Sequence, residues 1–143
     1  MSAEENKAIV RRINDEVWTT GSLDVIDELI AEDFVGIVIG GPEQIRGPHG
    51  FREFVAMYRK AFPDLSISID QQIAEGDTVV TRWTATGTHQ GDLMGMPATG
   101  KQAITSGINI NRIAGGKLVE GWGLFDMLGL LQQIGAIPTV ARV

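Results

Sequence analysis

Apolar residues recur at helical spacing in three segments of the N-terminal part of the chain. The first segment begins at Ser2 and Glu5, which have the spacing of a capping box. The second covers residues 23–30, and the third lies between Pro48 and Pro63. Because apolar side chains every three to four positions form one stripe of a helix, each segment predicts a helix with one buried face.

The period of the pattern changes to two from Leu65 onward. Apolar and polar residues then alternate, which is typical of strands with one buried face. The predicted strands begin at Leu65 and continue over 78–89, 101–113 and 117–125, and a closing helix covers 127–134. Helices followed by a long antiparallel meander predict an α+β fold with the helices packed on one face of the sheet. Glycines inside the strands favour a bent sheet with a concave face.

Composition narrows the classes of function. A chain of 143 residues with 43% hydrophobic content predicts a single domain over residues 1–143. A net charge of −6 disfavours nucleic acid as a partner, and the absence of cysteine excludes disulfides and thiolate chemistry. No apolar run approaches the ~20 residues needed to cross a bilayer, so we expect no membrane partner and a cytoplasmic location.

Asp126 is the strongest candidate for chemistry. It shares one face of the last predicted strand with Glu120 and Trp122 if that strand stays regular. A carboxylate that aromatic neighbours partly desolvate becomes a better general base, and Asp126 would sit in an apolar wall. The alternative is structural, because Asp126 directly precedes the helix that starts at Met127 and aspartate is a good N-cap.

His89 is a second candidate, since it follows the 78–89 strand with the same parity as Trp83. A neutral imidazole there could donate to a developing oxyanion, or it could anchor a loop.

Aromatic and amide side chains at several positions could bind a flat ring or simply pack in the core or face solvent. The predicted substrate-binding residues are Trp18, Tyr58, Trp83, Asn109 and Trp122. No metal-ligand spacing is present, so we expect no metal.

Several motifs, taken in order along nearly the whole chain, resemble the SnoaL-like polyketide cyclases, also called ester cyclases, of the nuclear transport factor 2-like superfamily. The segments that carry the resemblance are RWTATGTHQG (82–91), GMPATG (95–100), GKLVEGW (116–122) and DMLGLLQQIG (126–135). Each segment alone is a weak signal, whereas their order and spacing together are specific.

The resemblance implies a cone-shaped barrel of a curved antiparallel sheet with helices on its concave face, a homodimer, and no cofactor. It also implies lyase or isomerase chemistry, in which an aspartate removes an α-proton and the enolate closes a ring by intramolecular aldol condensation. Asp126 matches the aspartate of the E-x-W-x-x-x-D segment of that family. His89 would donate to the enolate or carbonyl oxygen.

One departure from the family pattern concerns the cavity wall. Many relatives carry a polar Asp-His pair after the Phe-Val that ends the second helix, whereas here Phe34 and Val35 are followed by Gly36 and Ile37. This replacement predicts a drier pocket. The superfamily also hosts other functions, so three alternatives to a cyclase are open: a non-catalytic dimeric binding protein, ketosteroid-isomerase-like proton transfer, and the less favoured epoxide hydrolysis.

Overall fold

The helices pack against one face of a curved sheet in a computed structural model that describes residues 2–41 and 44–138. Helix α1 spans Ala3–Arg12 and continues as a π-helical segment over Ile13–Thr19. A 3₁₀ turn at Leu23–Val25 leads into the short helix α2, Ile26–Leu29. The remaining helices are α3, Gly47–Ala61, and α4, Met127–Gln133.

The strands of this part of the chain form one six-stranded sheet in the order β2-β1-β6-β5-β4-β3. Their bounds are β1 Ile30–Val38, β2 Ile45–Arg46, β3 Ser66–Glu75, β4 Thr78–Thr88, β5 Gln102–Ala114 and β6 Lys117–Phe125. All neighbouring pairs are antiparallel except β1 and β6, which are parallel. Register shifts interrupt three of the pairs, and such bulges add twist and curvature, so the sheet is curved without closing on itself.

Local chemistry explains where the helices begin and end. The Ser2 hydroxyl accepts the Glu5 amide N–H at 3.1 Å and the Glu5 carboxylate accepts the Ser2 amide at 3.1 Å, so the predicted capping box is present. Pro48 lies in the first turn of α3, where its missing N–H costs nothing. Phe62 then leaves helical geometry, with φ −128° and ψ 80°, directly before Pro63.

Two apolar clusters join the layers. The larger one fills the space between α1, α3 and β1 and is centred on Val17, Ile26 and Val55, which are fully buried. The smaller one lies between α3, α4 and β5, where Ala61 and Ile134 are fully buried. Because the sheet curves away from the helices between these clusters, the concave face is not filled by side chains and a cavity remains.

The predicted α+β class, with helices on the concave face, is confirmed. The second helix is shorter than the pattern suggested, because Ile30 already belongs to β1 and pairs with Leu118. No helix among the described residues is both long enough and apolar enough to span a membrane.

Candidate active-site cavity

A cavity of about 200 Å³ lies between the concave face of the sheet and helices α1 and α3. Its wall is largely apolar, and several of its aromatic side chains meet edge to face. The Trp18 ring lies 5.7 Å from that of Phe54 and 6.3 Å from that of Phe51, and the Tyr58 ring lies 6.1 Å from that of Phe125. Such rings bury a large apolar area and accept the face of a flat ligand.

Four of the predicted substrate-binding residues have their side chains on this wall: Trp18, Tyr58, Trp83 and Asn109. The fifth, Trp122, borders the cavity along β6, but its side chain lies on the outer face of the sheet, where it pairs with Ile110. It is 44% exposed, and its indole N–H donates to Glu120 Oε1 at 3.2 Å. Binding of a substrate by these residues stays a prediction.

The polar groups of the wall are neutral. Asn14 is held in place, because its amide donates to the Ile67 carbonyl and to Asp15 Oδ1, both at 2.9 Å. Thr81 and Asn109 face each other across the β4–β5 pair. Tyr58 is the only ionisable side chain among the described residues of the wall. Burial raises its pKa to about 12, so it stays protonated near neutral pH.

Glycines on β6 make room for two amides on β5. A Cβ at Gly121 would lie 2.9 Å from Asn111 Oδ1, and a Cβ at Gly123 would lie 3.0 Å from Asn109 Oδ1. Both distances are shorter than side chains normally tolerate. The amides of Asn109 and Asn111 therefore occupy space that a side chain on β6 would otherwise take.

Asp126 does not belong to the cavity wall in this structure. Its side chain is exposed, and Oδ1 accepts the Gly129 amide N–H at 2.8 Å, which makes Asp126 the N-cap of α4. The alternative that Asp126 is a cap is thus confirmed. Its neighbour Phe125 does line the cavity, and a catalytic role for Asp126 stays a prediction.

His89 is fully buried behind the wall. Its Nδ1 lies 3.0 Å from Thr99 Oγ1 and accepts the Thr99 amide at 3.3 Å, which places the ring proton on Nε2. The imidazole lies 5.6 Å from the ring of Phe62, which itself lines the cavity. These bonds fasten the loop between β4 and β5, in agreement with the loop-anchoring alternative, while a donor role in catalysis stays a prediction.

Gly36 and Ile37, which stand where many relatives carry a polar pair, lie on the cavity wall. Both residues line it, together with Val38 on the same strand. A Cβ at Gly36 would come within 2.7 Å of the Phe34 ring, so the glycine lets that ring lie against β1. This side of the cavity is apolar, as the sequence predicted.

Sequence reasoning missed several polar residues of the wall, among them Asn14 and Thr81. Asn14 lies on the same helical face as Val10 and Ile13, and a polar residue within an apolar stripe is the signal that could have identified it. Thr81 shares its parity with Trp83 in β4, and the same alternation that placed Trp83 could have placed it. Among the residues that the structure describes, no group of three or more His, Asp or Glu is positioned to hold a metal ion.

Comparison with known proteins agrees with this architecture. The chain is 32% identical over 130 residues to an aklanonic acid methyl ester cyclase of Streptomyces peucetius, covering 89% of this chain and 88% of that protein. It is 29% identical over 119 residues to the nogalonic acid methyl ester cyclase of Streptomyces nogalater, covering 82% and 89%.

The fold is shared as well. A crystal structure of a protein from Jannaschia sp. CCS1, assigned to the SnoaL-like polyketide cyclases, superposes with a TM-score of 0.86 at 26% identity and covers 95% of each chain. The sequence model described as SnoaL-like polyketide cyclase matches residues 8–134. The chain therefore belongs to the SnoaL-like polyketide cyclase family, and its relatives support a cyclase-type enzyme.

Proposed function

We propose that this chain is a cyclase-type enzyme that binds a hydrophobic carbonyl compound in the cavity and closes a ring within it. The observation that carries the proposal is the uncharged, largely apolar wall in a chain of the SnoaL-like family. An apolar wall with a few neutral hydrogen-bonding groups suits a flat molecule whose polar atoms are carbonyl and hydroxyl oxygens.

Ring closure in this scheme is an intramolecular aldol step that needs no cofactor. A base removes a proton from the carbon between two carbonyls, the resulting enolate carbon bonds to a carbonyl carbon of the same molecule, and the alkoxide oxygen takes up a proton. The product is an isomer of the substrate. The wall contributes by holding the two reacting ends together, and its amide N–H groups, on Asn109 and Asn111, can donate to the enolate oxygen.

Asp126 is the base in this proposal. Two observations support it: Asp126 follows Phe125 of the wall, and the hydroxyl of Thr105, another wall residue, donates to its backbone carbonyl at 3.3 Å. To act on the substrate, the carboxylate must release the Gly129 amide and turn past Phe125. Exchanging an N-cap costs about 1 kcal/mol, which binding of a large apolar ligand can offset.

The experiment uses aklanonic acid methyl ester, with ring closure followed by liquid chromatography and binding followed by tryptophan fluorescence. We expect Asp126→Asn to bind with unchanged Kd, because asparagine also caps helices, and to lose about 100-fold in ring closure. Asp92→Asn is the matched control, since Asp92 makes the same contact with an amide three residues on, at Gly95. Unchanged ring closure in Asp126→Asn would remove Asp126 from the mechanism.

A non-catalytic binding protein is the second candidate. The observation in its favour is that none of the described wall residues is Asp, Glu, His, Lys or Arg. This candidate predicts that the wild-type chain binds the ester tightly and leaves its rate of ring closure at the uncatalysed value. Absence of binding would count against both candidates.

The proposal includes a homodimer. The outer face of the sheet exposes a contiguous apolar patch, since Ile108 pairs with Leu124 and Ile110 pairs with Trp122 across β5 and β6, and each of these side chains is 44% to 53% exposed. Patches of this kind mark interaction surfaces. Ion pairs flank the patch on two sides, Arg82 with Asp70 at 3.6 Å and Arg112 with Glu120 at 3.5 Å, so the apolar patch has a polar rim, as protein interfaces commonly do.

A further inference from the structure

Two polar atoms of the cavity wall lack a partner within the described protein. They are the hydroxyl Oγ1 of Thr81 and the indole Nε1 of Trp83, and both are buried. Thr81 is only 3% exposed. Buried polar groups are normally hydrogen-bonded, and each exception calls for a reason. For a polar group on a cavity wall, one explanation is that its hydrogen-bond partner belongs to the ligand.

The strand geometry puts these two atoms on one patch of the concave face. Thr81 and Trp83 are two residues apart on β4, so their Cα atoms are about 7 Å apart and their side chains point to the same side. Asn109 lies directly opposite Thr81 on β5. Thr81, Trp83 and Asn109 therefore form one polar patch within the wall.

Gly107 sets the position of the indole. It pairs with Trp83 across β4 and β5, and a Cβ there would lie only 2.7 Å from Trp83 Cε2, the ring carbon bonded to Nε1. The backbone carbonyl oxygen of Leu124 would also be 2.8 Å from that Cβ. The indole therefore packs directly against Gly107, and a side chain at this position would displace the ring and its N–H.

The hydrogen-bonding capacity of these two groups and the lack of charge on the described wall residues decide which ligand atoms they can bind. Trp83 Nε1 can only donate, and the Thr81 hydroxyl can donate and accept. No described residue of the wall carries a charge that would pair with an ionised ligand group. An unpaired carboxylate is costly to bury, whereas a ketone or ester carbonyl is not.

We propose that Thr81 and Trp83 form a subsite for an uncharged oxygen of the ligand, a ketone or ester carbonyl, and that Gly107 is the positioning residue that aims the indole N–H at it. The proposal rests on the proposed function, because it assumes that the cavity binds an apolar carbonyl compound. The subsite proposal adds which residues recognise the carbonyl oxygen of the ligand, and it states that an ionised ligand group is excluded.

The test compares three probes of the same ring size: naphthalene, methyl 2-naphthoate and 2-naphthoate at pH 7. Binding to the full chain is measured by titration calorimetry. We expect the ester to bind most tightly and the carboxylate most weakly. Thr81→Val and Trp83→Phe should each reduce affinity for the ester roughly fivefold, the size of one neutral hydrogen bond, and leave affinity for naphthalene within about twofold.

Gly107→Ala should reproduce the effect of Trp83→Phe, and the double variant should lose no more than either single variant, because both remove the same hydrogen bond. Thr78→Val is the matched control, since Thr78 lies on the same strand but its hydroxyl donates to Asp77 outside the cavity. Thr81→Ser keeps the hydroxyl and should keep the preference for the ester.

The outcomes separate the two proposals. If none of the probes binds the wild-type chain, the proposed function fails. If naphthalene and the ester bind but the ratio of their affinities is unchanged in Thr81→Val, Trp83→Phe and Gly107→Ala, the subsite is wrong while the cavity still binds. Equal affinity for 2-naphthoate and its ester would overturn the claim that charge is rejected.

Discussion

At the residue scale, the face of β6 on which a residue lies decides whether its side chain meets the cavity or the outer surface. Gly121, Gly123 and Phe125 point toward the cavity, while Trp122 and Leu124 are about half exposed on the outer side. The sequence placed Asp126 in phase with Trp122 on the condition that the last strand stays regular, whereas β6 ends at Phe125 and Asp126 caps α4. It could not identify the inner face, because the two inward positions before Phe125 are glycines and leave no apolar signal.

Asp126 has a measurable structural role whatever its part in chemistry. Asp126→Ala should lower the free energy of unfolding by about 1 kcal/mol, because the Gly129 amide loses its acceptor, whereas Asp126→Asn should change it little. Urea denaturation followed by circular dichroism measures both. A loss of equal size in the two variants would mean that the charge, not the cap, stabilises α4.

At the element scale, short polar contacts fasten the ends of strands that the alternating pattern predicted well. Asp64, in the turn before β3, accepts the Thr88 amide at 2.7 Å and the Thr88 hydroxyl at 2.8 Å, which joins that turn to the end of β4. The half-buried antiparallel strands β3 to β6 were predictable because each alternates. For β1 the sequence indicated only a short strand somewhere between Phe34 and Gly47, because the acidic residues Glu32 and Asp33 obscure the alternation at its start.

The Asp64 contact makes part of the stability depend on pH. The two hydrogen bonds from Thr88 lower the pKa of Asp64 below its ordinary value of 3.8. A carboxylate with a depressed pKa in the folded state contributes stability above its unfolded pKa, and the contribution disappears as the pH falls through the folded value. Wild type should therefore lose more stability than Asp64→Asn between pH 7 and about pH 3.

Urea midpoints at the two pH values measure this difference. The effect should be modest, because Asp64 is exposed and solvent screens its interactions. Equal losses of stability in wild type and Asp64→Asn would show that the contact between Asp64 and Thr88 does not depend on ionisation of the carboxyl group.

At the scale of the whole molecule, the two faces of the sheet have separate roles. The concave face builds the cavity, and the convex face carries the apolar patch around Ile108 and Ile110. The resemblance of the motifs predicted the fold, since they span nearly the whole chain. The parallel pairing of β1 with β6 follows from no local pattern, because the two strands are remote in sequence.

The patch predicts self-association. Ile108→Lys should convert a dimer into a monomer, because a buried ammonium without a partner is costly at an apolar interface. Leu128→Lys is the matched control, since Leu128 is 55% exposed, close to the 50% of Ile108, and belongs to helix α4 rather than to the sheet. Light scattering coupled to size-exclusion chromatography gives the mass of each variant. A wild-type monomer would exclude the dimer at the concentration used.

The parallel pairing of β1 with β6 also bears on how the chain folds. Val35 pairs with Glu120 and Ile37 with Trp122, so this contact closes a loop that contains most of the chain. Contacts of such long sequence separation form late and slow folding. The meander β3 to β6 can form first from neighbouring hairpins, whereas the wall between Gly36 and Gly121 exists only after the final closure. The cavity should thus be the last part of the molecule to acquire its shape.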